Sequence, residues 1–389
     1  MSPSNPVTAQ KGSIFNFLLR FDVVWNYDML RNMKETKKQR VIVGMSGGVD
    51  SSLTAALLLQ QGYEVIGVFM KNWSKDIGDF CCSWSEDLED ARRVAQVLGI
   101  RFYVWNFEAE YQKQVIDYFF KEYKAGRTPN PDAMCNREIK FKVFLEKALR
   151  FGADFVATGH YARVKKTKDG YKLLKGKDGN KDQSYFLYTL TQKELSKSLF
   201  PIGEYTKPRV RALAKKFKLP TFAKKDSQGI CFIGEVDIKE LLQQKIKPRA
   251  GKIVDTKGNV LGRHDGVVSY TLGQRGGLDI GGRGPYYVVS KDLKKNLVIV
   301  SDNPDDPLLW RKECIVSDIT WTNREPVTKE LDVTIRYRHP TIKATIKPLS
   351  RGKWQLVFKQ AERAITPGQN AVFYHNDELI GGGIIDSVQ

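Results

Sequence analysis

Ser46-Gly47-Gly48-Val49-Asp50-Ser51-Ser52 follows an apolar run, Val41-Ile42-Val43, and opens a helix-patterned stretch from Ser51 to Gln61 that Gly62 stops. A strand, a glycine-rich loop and a helix in this order form a cradle for an anion. Two glycines let the backbone approach a phosphate chain closely, and the helix N-terminus offers free N–H groups. Ser46, Ser51 and Ser52 add hydroxyl donors. The loop lacks the GKS or GKT ending of a Walker loop, so γ-phosphate transfer is not its obvious chemistry. Asp50 is a candidate to help hold a magnesium ion bridging phosphates. The bland alternative is a turn that merely caps a helix.

The pattern around the loop repeats it. Glu64 to Met70 reads as a second strand, Ser83 to Leu98 as a helix with Ser83 and Glu86 at capping-box spacing, and Arg101 to Phe107 as a third strand. Helices are expected over 108–124 and from Arg137 to Arg150, then a strand from Asp154 to Thr158. Such alternation predicts an α/β fold with a parallel sheet covered on both faces, and ligands at the carboxyl ends of its strands. Beyond about residue 248 the texture becomes short strands and glycine turns, with Gly251 to Val254, Val267 to Leu272 and Tyr286 to Ser290 as candidates. Cys314 to Trp321, Leu331 to Tyr337, Thr341 to Leu349, Lys353 to Lys359 and Ala371 to Tyr374 then recur at short spacing, which suggests a small β-barrel.

These shifts divide the chain into a flexible N-terminal extension (1–38), a nucleotide-loop domain (39–220), a small central α+β domain (221–305) and a C-terminal β-barrel (306–389). Residues 1–28 carry no net charge, unlike a basic transit peptide, and Met29 and Met33 are candidate starts whose use intact mass would decide. The net charge of +19 is concentrated: residues 162–225 hold 18 Lys+Arg against five Asp+Glu, including a basic helix expected from Arg209 to Phe217. A Lys-rich helix by itself is a solvated face. A bias this long points to a phosphate backbone, hence to nucleic acid. No apolar run is long enough to cross a bilayer, so no membrane role is expected. Five cysteines without a CxxC pair exclude a disulfide-stapled scaffold and a zinc ribbon, and point to a reducing interior.

Two cysteines stand in suggestive surroundings. Gly126-Arg127-Thr128-Pro129-Asn130-Pro131-Asp132-Ala133-Met134-Cys135-Asn136 reads as a loop ending at a helix start. There the helix and nearby Arg137 and Lys140 are expected to favour a Cys135 thiolate, with Asp132 placed to take a proton. The second segment, Asp226 to Gly234, carries Cys231, 96 residues later, so only the fold can join the two. A lone cysteine is otherwise more often a small buried apolar residue.

The loop SGGVDSS resembles the PP-loop of the ATP pyrophosphatases, which cleave ATP between its α and β phosphates and adenylate a substrate oxygen. With GVFMKNW (67–73), GRTPNPD (126–132), CNREIKF (135–141), ATGHYAR (157–163), KDQSYFL (181–187), GICFIGE (229–235), YTLGQR (270–275), RYRH (336–339) and TPGQ (366–369), the chain from about residue 40 onward is similar to the tRNA-specific 2-thiouridylases. The resemblance implies a PP-loop domain of the adenine nucleotide alpha hydrolase type, a central domain and a β-barrel. It implies ATP and Mg2+ as cofactors, with Gly44, Met45, Ser46, Gly47, Gly48, Val49, Asp50 and Ser51 around the phosphates and Met70 and Gly159 at the adenosine. Cys231 would carry a persulfide, Cys135 would either attack it and free sulfide for C2 or form a disulfide with Cys231 as sulfur transfers, and Asp132 would be the general acid/base. Asn130, Pro131 and Asp132 would touch the target base. His160, Lys181, Asp182, Gln183, Arg336, Tyr337 and Gln369 would contact tRNA. The implied partners are a tRNA anticodon stem-loop with a wobble uridine and a persulfide donor, either a relay protein or a cysteine desulfurase. The implied location is the cytoplasm, with the mitochondrial matrix as the alternative. Some sulfur-inserting relatives carry an iron–sulfur cluster on three cysteines, and Cys81 or Cys82 would have to join Cys135 and Cys231 for that. Rival readings are a lysidine synthetase-like enzyme, which needs no cysteine, and a tRNA-binding protein with a vestigial loop.

Overall fold

The computed structural model describes residues 38–76, 84–226, 229, 231, 233–234, 237–278, 280–281 and 284–388. The expectations on residues 1–37, on Ser83 and on Cys81 and Cys82 lie outside them. Gln39–Gln389 forms one compact unit.

Its first sheet is parallel throughout. The strands β1 (Arg40–Met45), β2 (Glu64–Lys71), β3 (Arg101–Asn106), β4 (Phe155–Ala157) and β5 (Ser198–Leu199) stand in the order β3-β2-β1-β4-β5. β1 and β2 are buried almost end to end, as a sheet covered on both faces requires. Alternate residues of β1 serve opposite cores. Val41, Val43 and Met45 pack with Leu53, Val94 and Val210, whereas Ile42 packs with Ile66, Phe119 and Phe144. The helices expected over 83–98 and 209–217 run Trp84–Leu98 and Lys207–Lys216.

A four-stranded sheet follows in the order Tyr287–Asp292, Leu297–Ser301, Gly251–Asp255, Val260–His264. The strand expected at Val267 to Leu272 is instead a short 3-10 turn, Val267–Ser269, whose Val267 and Tyr270 enter the core between the sheet edges. Six antiparallel strands then close on themselves: Trp310–Trp321, Trp354–Arg363, Ile342–Pro348, Glu330–Thr334, Asn370–His375 and Glu378–Val388, the last pairing back to the first. Closure removes the free sheet edges. A hairpin, Ala162–Thr167 with Gly170–Lys175, extends this sheet by pairing Leu173 and Leu174 with Leu379 and Glu378. Among the described residues, no helix is long and apolar enough to cross a membrane.

Candidate active site

The glycine loop joins the carboxyl end of β1 to the helix Val49–Gln60. Gly47 has φ +74° and an added Cβ would lie 2.3 Å from the Asp87 carbonyl oxygen, so no other residue fits without moving backbone. The Ser46 N–H donates to Ser51 Oγ at 3.1 Å, and Ser52 Oγ donates to the Gly48 carbonyl at 2.8 Å. All three expected hydroxyl donors make hydrogen bonds within the loop, Ser46 Oγ lying 3.2 Å from Ser51 Oγ. Gly159, after β4, lies against the helix start, where a Cβ would meet Ser51 N at 2.7 Å. Gly44 lies under Met70, whose Cε would be 2.9 Å from a Cβ there. The phosphate loop, Met70 and Gly159 thus share one end of the sheet.

Asp50 faces a cluster that sequence reasoning missed. Lys207 Nζ is 2.8 Å from both Asp50 oxygens, and the Tyr161 hydroxyl donates to Oδ1 at 2.8 Å. Lys207 also reaches Asp226 at 2.7 Å, and Arg211 and Lys181 reach it at 2.8 and 2.5 Å. Burial would raise the Asp226 carboxyl, but Lys181 and Lys207 outweigh it and hold it down at about 2. No group of three or more His, Cys, Asp or Glu suited to a metal occurs among the described residues.

The cysteine site is built on the helix that starts at Pro131. Asn130 caps it by accepting from the Ala133 N–H at 3.1 Å, and proline at the first position leaves no orphan donor. The expected helix at Arg137 thus begins six residues earlier, and Cys135 lies within the helix, fully buried. Cys231 meets it across the chain. Its N–H donates to Asp132 Oδ1 at 2.9 Å, and its carbonyl accepts from the Tyr111 hydroxyl at 2.6 Å. The two thiols are free and hydrogen-bonded to each other.

Burial opposes a Cys135 thiolate, whereas Lys140 favours one. Burial, then Cys231, push the Cys135 thiol well up. The hydrogen bond from Cys135 draws Cys231 down against burial, helped by Lys140. Burial raises the Asp132 carboxyl, offset in part by the Cys231 N–H and by Lys140. Burial alone would lower Lys140, but Cys231, Cys135 and Asp132 together hold it raised.

The loop before this helix is clamped from two sides. The Thr128 N–H donates to the Pro367 carbonyl at 2.9 Å, and Gln369 Nε2 donates to the Thr128 and Pro129 carbonyls at 2.9 and 3.3 Å. Gly368, at φ +94°, makes the approach possible, since a Cβ would stand 2.8 Å from the Thr128 carbonyl carbon. From the four-stranded sheet, Lys291 Nζ donates to the Gly126 carbonyl at 3.0 Å, and the Thr271 hydroxyl is 3.1 Å from that of Thr128. Lys291 carries no local signal in the sequence, whereas Thr271 lies in the YTLGQR segment.

The residues expected to touch tRNA separate into two groups. Asn130, Pro131, Asp132 and Gln369 gather at the cysteines. Arg336 and Tyr337 adjoin them through Tyr185, which hydrogen-bonds Asn130 and has its ring 6.4 Å from that of Tyr337. His160 is only 7 % exposed, lies 2.7 Å from the Thr158 hydroxyl and packs between Phe141 and Phe200. Burial, then Lys140, holds its imidazole well below the usual range. Asp182 accepts from the Gly176 N–H and the Ser184 N–H and hydroxyl, Gln183 accepts from the Tyr161 N–H, and Lys181 pairs with Asp226. These three brace the ground beside the phosphate loop.

Three family models match in succession: the tRNA methyl transferase HUP domain over residues 39–235, the tRNA methyl transferase PRC-barrel domain over 239–302 and the Aminomethyltransferase beta-barrel domain over 311–385. The tRNA-specific 2-thiouridylase MnmA of Geobacillus thermodenitrificans (strain NG80-2) is 51% identical over 358 residues, covering 91% of this chain and 96% of that protein. Its namesake in Shouchella clausii (strain KSM-K16) is 50% identical over 361 residues, covering 92% and 99%. That of Bacillus subtilis (strain 168) is 49% identical over 360 residues, covering 91% and 97%. With half the residues identical along nearly the full length of such proteins, the chain belongs to the tRNA-specific 2-thiouridylase family.

Proposed function

We propose that this chain is a tRNA-uridine 2-sulfurtransferase that converts the wobble uridine of tRNA to 2-thiouridine, using ATP and a persulfide. The observation that carries the reading is the meeting of Cys135 and Cys231 over Asp132, near the end of the parallel sheet that bears the glycine loop.

The glycine loop and the N-terminus of its helix bind the phosphates of ATP. The uridine C2 oxygen attacks the α-phosphorus, pyrophosphate leaves, and the N3 proton passes to a base. Asp132, beside Cys231 and with its carboxyl raised by burial, fills that role. Magnesium supplies neutralisation of phosphate charge. Asp50 is the one carboxylate of the loop, but Lys207 lies 2.8 Å from both of its oxygens, so the ion would be held by phosphates and water.

Cys231 takes the sulfane sulfur from a relay protein or a cysteine desulfurase. Cys135 attacks the Cys231 sulfur, the Cys135–Cys231 disulfide forms, and the outer sulfur leaves as sulfide. Sulfide adds at C2 and AMP departs with the former oxygen. Two thiols have supplied the two electrons that reduce sulfane sulfur to sulfide, and a cellular thiol must reopen the disulfide.

The reading assigns residues 39–220 to ATP binding and catalysis, 221–305 to a central domain and 306–389 to a barrel that, with Arg336, Tyr337 and Gln369, receives the anticodon stem-loop. It places the protein in the cytoplasm, or in the mitochondrial matrix as the alternative. Unmodified tRNA incubated with ATP, magnesium and sulfide, then digested for nucleoside mass spectrometry, tests it. ATP-dependent 2-thiouridine is expected. Pyrophosphate without thiouridine would favour a lysidine synthetase-like nucleophile, and neither product would leave only tRNA binding.

A further inference from the structure

The chain from Thr221 to Cys231 leads from the phosphate loop to the cysteine pair, and side-chain bonds fix both of its ends. At the first end three residues are tied in succession to the loop and its supports. The Thr221 hydroxyl donates to Ser52 Oγ at 3.0 Å. Lys224 Nζ pairs with Asp87 at 2.7 Å and Asp90 at 2.6 Å, and Asp226 pairs with Lys207 at 2.7 Å. At the far end Cys231 is held by Asp132 at its N–H and by the Tyr111 hydroxyl at its carbonyl. Five residues of chain reach at most about 18 Å, so the place of Asp226 limits where the Cys231 sulfur can stand.

Lys207 is the joint at the first end. Its Nζ lies 2.8 Å from both oxygens of Asp50 and 2.7 Å from Asp226, so a carboxylate of the loop and one leading to Cys231 share a single nitrogen. Carboxylates this close repel unless a cation lies between them. Lys181 and Arg211 also pair with Asp226, but among the described residues only Lys207 binds Asp50 as well. The lysine itself is buried and firmly placed. Its N–H donates to Asp178 Oδ2 at 2.8 Å, and Val210 and Ala214 of the helix it opens pack in one core with Val49 and Leu53 of the loop's helix.

We propose that Lys207 is a positioning residue for sulfur transfer: by binding Asp50 and Asp226 together it registers the Cys231 segment against the nucleotide loop, so that sulfur arrives where the activated uridine lies. The inference rests on the thiouridylase reading above. In that reaction adenylation belongs to the loop and delivery of sulfur to Cys231, two segments far apart in the chain. A displacement of an ångström between them is enough to slow delivery while adenylation proceeds. A buried ion pair that only stabilised the fold would, when broken, lower both steps together.

The test counts pyrophosphate and 2-thiouridine in the same single turnover. The full chain is loaded from glutathione persulfide, the Cys231 persulfide is confirmed by peptide mass, and unmodified tRNA, ATP and magnesium are added. Asp226→Ala, which leaves Lys207 on Asp50, should keep pyrophosphate formation and lower 2-thiouridine per pyrophosphate by about tenfold or more. Lys207→Met should lower the same ratio, and Lys207→Arg, whose guanidinium can bridge two carboxylates, should restore most of it. The ratio does not depend on how much of the protein is folded, so a merely structural loss leaves it unmoved. Asp226→Ala serves if Lys207→Met unfolds. A folded Asp226→Ala or Lys207→Met protein with the wild-type ratio overturns the inference. Wild-type product is read alongside, so failure of the thiouridylase reading shows as absent 2-thiouridine and failure of the Lys207 role as an unmoved ratio.

Discussion

The backbone N–H of Cys231 donates to Asp132 Oδ1 at 2.9 Å, tying together segments 99 residues apart in the chain. On the proposed reading one carboxylate would do two jobs: it fixes the peptide of the cysteine that would carry sulfur, and it would move a proton. The jobs separate by substitution. Asp132→Asn keeps an acceptor oxygen, so loading of Cys231 should persist while thiolation falls by about 10²–10⁴-fold. Asp132→Ala should lose both and cost about 1–3 kcal/mol of stability by leaving a buried N–H unpaired. Persulfide mass of the Cys231 peptide and urea denaturation read the two arms.

The barrel acts on the cysteine site through one turn. Gln369→Ala removes the donor to the Thr128 and Pro129 carbonyls and should lower kcat with little change in KM for ATP. Gly368→Ala should be worse, because its Cβ meets Thr128 backbone and its φ is positive. A loss of about 2 kcal/mol or more by denaturation, with a steeper loss of thiolation, is expected.

Gly159→Ala tests the other end of the site. The new Cβ would press on Ser51 N at the helix N-terminus, where the proposed reading puts the phosphates of ATP. Isothermal titration should show ATP binding weakened by more than tenfold, while tRNA affinity at the same salt is retained.

Asp226 links stability to pH. Its carboxyl is depressed to about 2 from 3.8, so its contribution is present above pH 4 and is lost as pH falls toward 2. Partial exposure and screening bring the value to about 1 kcal/mol. Asp226→Asn should therefore destabilise the protein at pH 7, and the difference from wild type should shrink between pH 4 and pH 2 in urea melts.

The parts of the fold that local chemistry determines were readable before any coordinates. Val41-Ile42-Val43 is apolar at every position because both sheet faces are covered, and Gly47 stands where only glycine fits. The helix start at Pro131 was readable too, as Asn130-Pro131 is a cap followed by a proline, yet proline punctuation suggested a loop. Other features depend on the tertiary fold. The pairing of Lys207 with Asp50 spans 157 residues, and nothing in spacing announces it. The attachment of the 162–175 hairpin to the barrel sheet is equally invisible, because alternation predicts strands and not their partners. The thiolate expected at Cys135 meets a cost invisible in the sequence, since the burial that opposes its charge arises only in the folded chain. The family resemblance, not the local residues, supplied the pairing of the two cysteines.

A single-turnover reaction tests the relay most directly. The enzyme is loaded with persulfide, freed of donor, and mixed with tRNA, ATP and magnesium without reductant. Peptide mapping then follows the Cys231 persulfide and the Cys135–Cys231 disulfide while nucleoside mass spectrometry follows 2-thiouridine. The account predicts that the persulfide disappears as disulfide and 2-thiouridine appear in equal amounts, and that Cys135→Ser keeps its persulfide and makes none. Full 2-thiouridine from Cys135→Ser, or product formed with no disulfide in the wild type, would contradict it.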